Sequence, residues 1–216
     1  MTDSENPRGA PRKWRGREPA DRRAARRAAL IEAGLQIMGT EGTAATTMRA
    51  TCRQAGLTER YFYESFDNRE ALLVALLDHV VLGARDTLVG ALETGPADPG
   101  ELVRHVVKAF TGYIAEDRRR GRIMFVESQS VPELAQRGEQ LVAEFTTPMA
   151  AALKMLGADG APRDAVNTQL NAIALFGAIA FLYQRWLTGS PKISQKRIVE
   201  HIALTIEAHV PVNSTP

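Results

Sequence analysis

The chain has 216 residues, 44% of them hydrophobic, one cysteine and a formal net charge of +2. This is enough for one large domain or two small ones with a real core. A lone cysteine excludes an internal disulfide and fits a reducing cytoplasm, where the protein is expected to reside. No apolar run reaches the roughly 18 uncharged residues of a spanning helix, and the arginine-rich start lacks a secretory apolar segment, so no membrane partner is expected.

The charge is unevenly placed. Residues 1–27 hold nine basic side chains against four acids, which leaves the rest of the chain mildly acidic. A basic arm on such a body suits a polyanion, although a solvated tail reads the same way. Residues 1–21, with Pro7, Gly9, Pro11, Gly16 and Pro19, are expected to form a flexible arm.

From there the pattern is helix after helix, with no convincing alternation of period two. Leu30, Ile31, Leu35 and Met38 recur at helical spacing and predict a first helix over about 22–39. Residues 46–66 are denser in signals. Thr47 caps a helix running to Ala55, and Gly56 permits the left-handed backbone that ends it. Thr58 is expected to cap a second, short helix, with Leu57 and Phe62 at the spacing of a hydrophobic staple. Two short helices across a glycine-containing turn make a helix-turn-helix, whose second helix enters a major groove N-terminus first.

A fourth helix starts after Asn68 and buries Leu72, Leu73, Leu76, Leu77, Val80 and Val81. Further helices follow near 100–116, 119–128 and 132–156, with Pro148 expected to kink or split the last of these. The loop 157–162 precedes a long helix over 163–188, stopped by Gly189 and Pro191, and a final helix over 194–209. The predicted fold is all-α: a helix-turn-helix domain at 22–67, a larger helical domain at 68–210 and a short flexible tail at 211–216.

The run "YFY" at 61–63 divides its labour. Phe62 turns inward with Phe66, whereas Arg60 and Tyr61 stay free for base edges, and Tyr63 lays its ring on the domain with its hydroxyl toward a phosphate. Arginine–guanine is the commonest specific base contact. Arg49 projects from the first motif helix toward the backbone, and Arg69 brings charge to a helix N-terminus, an anion site in its own right. Each of these side chains would also be at home on an ordinary solvated surface.

The stretch from Arg22 to Leu77 resembles the DNA-binding domain of the tetracycline-repressor (TetR) family of bacterial regulators. The resemblance rests on Thr46-Thr47, Ala55-Gly56, Thr58, Phe62-Tyr63, Phe66 and Arg69-Glu70-Ala71-Leu72. Thr51-Cys52 departs from the family's usual Ile-Ala pair, and Ser65 replaces its His or Tyr. The resemblance implies a repressor that binds a palindromic double-stranded DNA operator as a homodimer and leaves it when a small molecule binds.

On that reading Thr47, Arg49, Thr58, Arg60, Tyr61, Tyr63 and Arg69 face DNA. Dimerisation is expected through the last two long helices, where Ala172, Ala174, Gly177, Ala178 and Ala180 allow close approach. The family's ligand pocket is expected among Phe110, Tyr113, Phe125, Phe145, Phe176 and Tyr183, with polar groups such as Glu127, Asn171 or Gln184. Those aromatics would serve equally as plain core.

Catalysis has little to stand on. His79, His105, His201 and His209 form no metal-ligand spacing, one cysteine makes no CxxC, and no nucleophile elbow or phosphate-cradling loop is present. No catalytic residue, metal or cofactor is expected. A ligand-independent architectural DNA-binding protein is the other reading of the same motif.

Overall fold

The computed structural model describes residues 19–156, 165–189 and 192–209. Nine α-helices and two short 3-10 turns account for nearly all of these residues. The helices are α1 (Pro19–Thr40), α2 (Met48–Ala55), α3 (Glu59–Tyr63), α4 (Arg69–Thr94) and α5 (Pro99–Glu116). They continue as α6 (Arg118–Phe125), α7 (Pro132–Leu156), α8 (Ala165–Thr188) and α9 (Gln195–His209). The basic arm, the 157–162 loop and the C-terminal tail fall outside the described residues, apart from Pro19 to Asp21, which open α1.

Local chemistry sets most of the boundaries. Asn68 Oδ1 accepts from the Ala71 amide at 2.8 Å to start α4, and Asp98 Oδ1 accepts from the Glu101 amide at 2.9 Å to start α5, with Pro99 behind it. Asp117 caps α6 through the Arg119 amide. Helix α7 runs on through Pro148 without splitting; proline removes one backbone donor there, and the rest of the ladder holds the helix together.

Two apolar clusters hold the helices. The first draws Leu30 and Met38 of α1, Phe62 of α3, Leu72, Leu73, Leu76 and Leu77 of α4, Ile123 of α6 and Leu134 and Leu141 of α7 into one core. It therefore runs through α4 from the helix-turn-helix into the larger helical body. The second joins Val107 and Ile114 of α5 to Tyr183 and Trp186 of α8 and Ile198 and Ile202 of α9.

Helices α1 and α6 approach closely where Gly39 lies, because a Cβ at that position would collide with Arg119. Arg119 is itself held by Asp117 at 2.7 Å, Glu32 at 3.0 Å and Gln36 at 2.8 Å. The guanidinium hydrogen bonds pull the Asp117 carboxyl below the usual carboxylate range.

The outer face of α8 is apolar and uncovered. Leu170, Ile173 and Phe181 are about half exposed or more, with Phe181 at 61%, and Gly177 and Ala178 lie exposed between them. Val166–Leu187 is by length and composition able to cross a membrane, which corrects the expectation that no segment was. The arrangement says otherwise: Trp186 and Tyr183 of the same helix are buried in the second core cluster, so α8 belongs to the helical body along one side.

Candidate nucleic-acid interface and effector cavity

The turn between α2 and α3 follows from three residues. Thr47 Oγ1 accepts from the Ala50 amide at 3.1 Å at the start of α2. Gly56 ends that helix at φ 64°, a left-handed backbone that glycine adopts without steric cost, and nothing lies near where its Cβ would be. Thr58 sits at the extended N-cap position of α3, but its hydroxyl makes no capping bond, contrary to the sequence reading. The backbone carbonyl of Thr58 receives the Tyr61 amide instead, which leaves the hydroxyl at the solvent.

Phe62 is fully buried and meets the Phe66 ring at 5.6 Å, while Tyr63 is 58% exposed and lies edge-on to Phe62. Three adjacent aromatics thus point three ways. Tyr61 is half-buried with the Arg26 guanidinium over its ring at 4.4 Å, so it supports α3 more than it projects. Arg60 is largely exposed, its Nε 3.3 Å from Glu64 Oε1, and Arg49 is exposed with its Nε 3.5 Å from Glu59 Oε1. Exposed pairs of this kind are weak and open readily toward a stronger anion.

Arg69 behaves differently from the expectation. Its Nε donates to the Thr46 carbonyl at 2.8 Å and its Nη2 to the Thr43 carbonyl at 2.6 Å, with Nη1 near Glu70. The guanidinium ties the start of α4 to the loop before α2; it is not a free phosphate ligand.

Helix α1 contributes three arginines that the sequence marks as part of the basic stretch 1–27 and for which no individual contact was expected. Arg23 Nε and Nη2 donate to the Glu64 carbonyl at 3.1 and 2.6 Å, at the C-terminal end of α3. Arg26 Nη2 reaches the Glu64 carboxylate at 3.1 Å, and Arg27 lies over the Phe66 ring. A five-residue helix is not stable alone, so these cations at its carbonyl end help hold it. Their spacing in sequence, Arg23 and Arg26–Arg27 on one helical face, was the available signal.

A cavity of about 450 Å³ lies in the larger body, lined among others by Phe110, Phe125, Phe145, Phe176 and Tyr183. Tyr113 is not among its lining residues: its hydroxyl donates to the Val80 carbonyl at 2.9 Å and Arg120 covers its ring. Thr111 donates to the Val107 carbonyl, so the 2.7 Å bond it shares with Tyr183 is donated by the tyrosine. Burial pushes the Tyr183 hydroxyl up to about 12. Gln184 lines the cavity, whereas Asn171 faces solvent on α8.

Glu127 is not a cavity group either. Its Oε2 accepts from the Thr43 amide at 2.9 Å and the Thr43 hydroxyl at 2.8 Å, and its Oε1 from Arg122 Nε at 3.0 Å. Burial alone would raise this carboxyl, but those three donors outweigh it and hold it below the usual range. The cavity residues Phe125, Ser128 and Gln129 lie on either side of Glu127 in sequence. Among the described residues no cluster of histidine, cysteine and carboxylate side chains could hold a metal ion.

Comparison with known proteins agrees with this architecture. Over 204 residues the chain is 22% identical to the HTH-type transcriptional regulator EthR of Mycolicibacterium smegmatis, covering 92% of each. Over 83 residues it is 34% identical to the HTH-type transcriptional regulator BetI of Rhizobium meliloti, spanning 40% of that protein. The fold is similar to the regulator FadR of Bacillus subtilis in complex with stearoyl-CoA, with TM-score 0.69 and 19% identity, covering 85% of this chain and 97% of that one. Residues 30–76, from α1 into α4 and spanning the whole helix-turn-helix, match the family model for bacterial regulatory proteins of the tetR family. With that motif and its left-handed glycine turn, residues 30–76 carry the DNA-binding region of the tetR family of bacterial regulatory proteins, and the all-helical body behind it is similar in fold to known regulators.

Proposed function

We propose that the protein is a cytoplasmic repressor that binds a palindromic operator as a homodimer and is released when an apolar small molecule enters the 450 Å³ cavity. The observation that carries the DNA half is the exposed face formed by Thr47, Arg49, Thr58, Arg60 and Tyr63 on a buttressed, otherwise buried motif. Arg60 reads a base edge, most simply guanine, and Arg49, Tyr63 and the two threonine hydroxyls engage phosphates. Tyr61 and Arg69 position that face from behind.

One short helix covers too little groove for specific binding, so two copies must reach grooves roughly 34 Å apart. The uncovered stripe of Leu170, Ile173, Gly177 and Phe181 supports α8 as the mating surface, with α9 beside it. A second copy would bury the apolar residues that a monomer leaves in water.

Release requires the ligand to favour the state with the reading helices out of register. The route is short. Phe125, Ser128 and Gln129 line the cavity, Glu127 between them grips Thr43, and Thr43 and Thr46 are gripped in turn by Arg69. A ligand that shifts the end of α6 therefore moves the loop that sets α2. The test is a gel shift on the DNA upstream of the protein's own gene, repeated across a small lipophilic library. A discrete complex dissolved by at least one apolar compound is the expected result, and a complex that no occupant of the cavity alters would leave only an architectural DNA-binding protein.

A further inference from the structure

The cavity's lining is unusual in what it lacks. Its described walls come from α4, α5, α6, the following turn, α7, α8 and α9, yet none of the described lining residues is Asp, Glu, Lys, Arg or His. Its polar side chains are few, and two are already committed. Tyr183 donates to Thr111, and Ser128 donates to the Met124 carbonyl at 2.8 Å. The carboxamides of Gln129, exposed at the surface, and Gln184, half-buried on α8, remain for a ligand. Phe110, Phe125, Phe145 and Phe176 supply the apolar wall.

We infer that the cavity selects an uncharged ligand: an apolar body carrying a neutral hydrogen-bonding group such as an amide, ester or alcohol. The inference rests on the reading of this cavity as the effector site. A carboxylate or ammonium drawn between these phenyl rings loses its hydration and meets no opposite charge among the described lining residues, a penalty far larger than that of a neutral dipole. A carboxamide, in contrast, offers both a donor and an acceptor, so it satisfies an amide or ester end in either orientation. The effector class is thereby set by electrostatics as well as by shape.

The experiment uses the full chain and three probes with one apolar body, decanamide, decanoate and decylammonium, near neutral pH. Binding is read by the rise in Tm and by the fluorescence of Trp186, whose ring packs 6.3 Å from Tyr183. Decanamide is expected to bind at least about tenfold more tightly than either charged probe. A Gln184→Lys variant should shift the preference toward decanoate, and Gln129→Lys repeats that swap at the exposed side if the first variant fails to fold. Equal or tighter binding of decanoate or decylammonium by the unmodified protein overturns the charge selection and leaves the effector site standing. Silence from all three probes in Tm, fluorescence and DNA release overturns the effector reading and this inference with it.

Discussion

Glu127 and Thr43, 84 positions apart in the chain, share two hydrogen bonds to a single carboxylate oxygen, at 2.9 and 2.8 Å. The pair joins the turn after α6 to the loop before α2. It is buried, and Arg122 neutralises it from the other side at 3.0 Å. Removing the charge should therefore weaken a junction between the two parts of the molecule. Glu127→Gln is expected to cost about 1–3 kcal/mol, since charged hydrogen bonds become neutral ones and one donor loses its match. That corresponds to a Tm lower by about 2–4 °C per kcal/mol in a chain of this size. An unchanged Tm, together with unchanged ligand-induced release of DNA, would remove Glu127 from the coupling route.

The same carboxyl gives a pH signature. Its native state is held below the ordinary value, as is that of Asp117. Each contributes stability that is complete above the unfolded-state value and is lost as pH falls through the lowered native one. The acid limb of the stability curve should thus be steep in the natural protein and shallower in Glu127→Gln. Parallel acid limbs for the two proteins would contradict the assignment.

On the proposed reading, Arg60 and Tyr63 separate reading from holding. Arg60→Ala should relax preference at one base position, with a loss of roughly tenfold or more on the specific site and little on random duplex. Tyr63→Phe should weaken both alike, because a phosphate hydrogen bond carries no sequence information. Equal losses on both duplexes for Arg60→Ala would demote it to a backbone contact.

Arg23 and Arg26 act on α3 without needing DNA. In the double variant Arg23→Ala, Arg26→Ala, amide hydrogen exchange over residues 61–66 should quicken in the free protein, since the carbonyl end of α3 loses its cationic partners. Unchanged protection would mean that the arginines serve only as part of the basic surface.

The proposed mating face is tested by Ile173→Glu. Ile173 is 46% exposed and does not line the cavity, so the change should leave the monomer folded. Sedimentation should show a monomer in place of a dimer, with specific DNA binding lost. A variant that still sediments as a dimer would move the interface elsewhere.

Much of this was legible in the sequence where the signal was local. Thr47, Gly56, Asn68 and the Leu72–Val81 stripe specify caps, a turn and a buried face through neighbours a few positions away. The start of α7 at Pro132 and the end of α8 before Gly189 were equally plain. What stayed hidden depends on side chains far apart in sequence. Arg69 carries the right charge for DNA but meets two carbonyls more than 20 positions upstream. Glu127 looked like a polar group for a pocket and instead bridges 84 positions. Tyr113 has the spacing of a cavity residue, yet its hydroxyl finds the Val80 carbonyl. The apolar run of α8 is a case of composition without context: one side of it is packed in the core and the other lies uncovered.

The central claim is that two copies of α3, held by one dimer, read two successive major grooves. Selection of sequences from a random duplex pool by the full-length protein, followed by footprinting, tests it most directly. The account predicts an enriched inverted repeat with half-sites about one helical turn, or a whole multiple of it, apart, bound by an even number of chains. Enrichment of no sequence, or of a single unrepeated site bound by one chain, would contradict it.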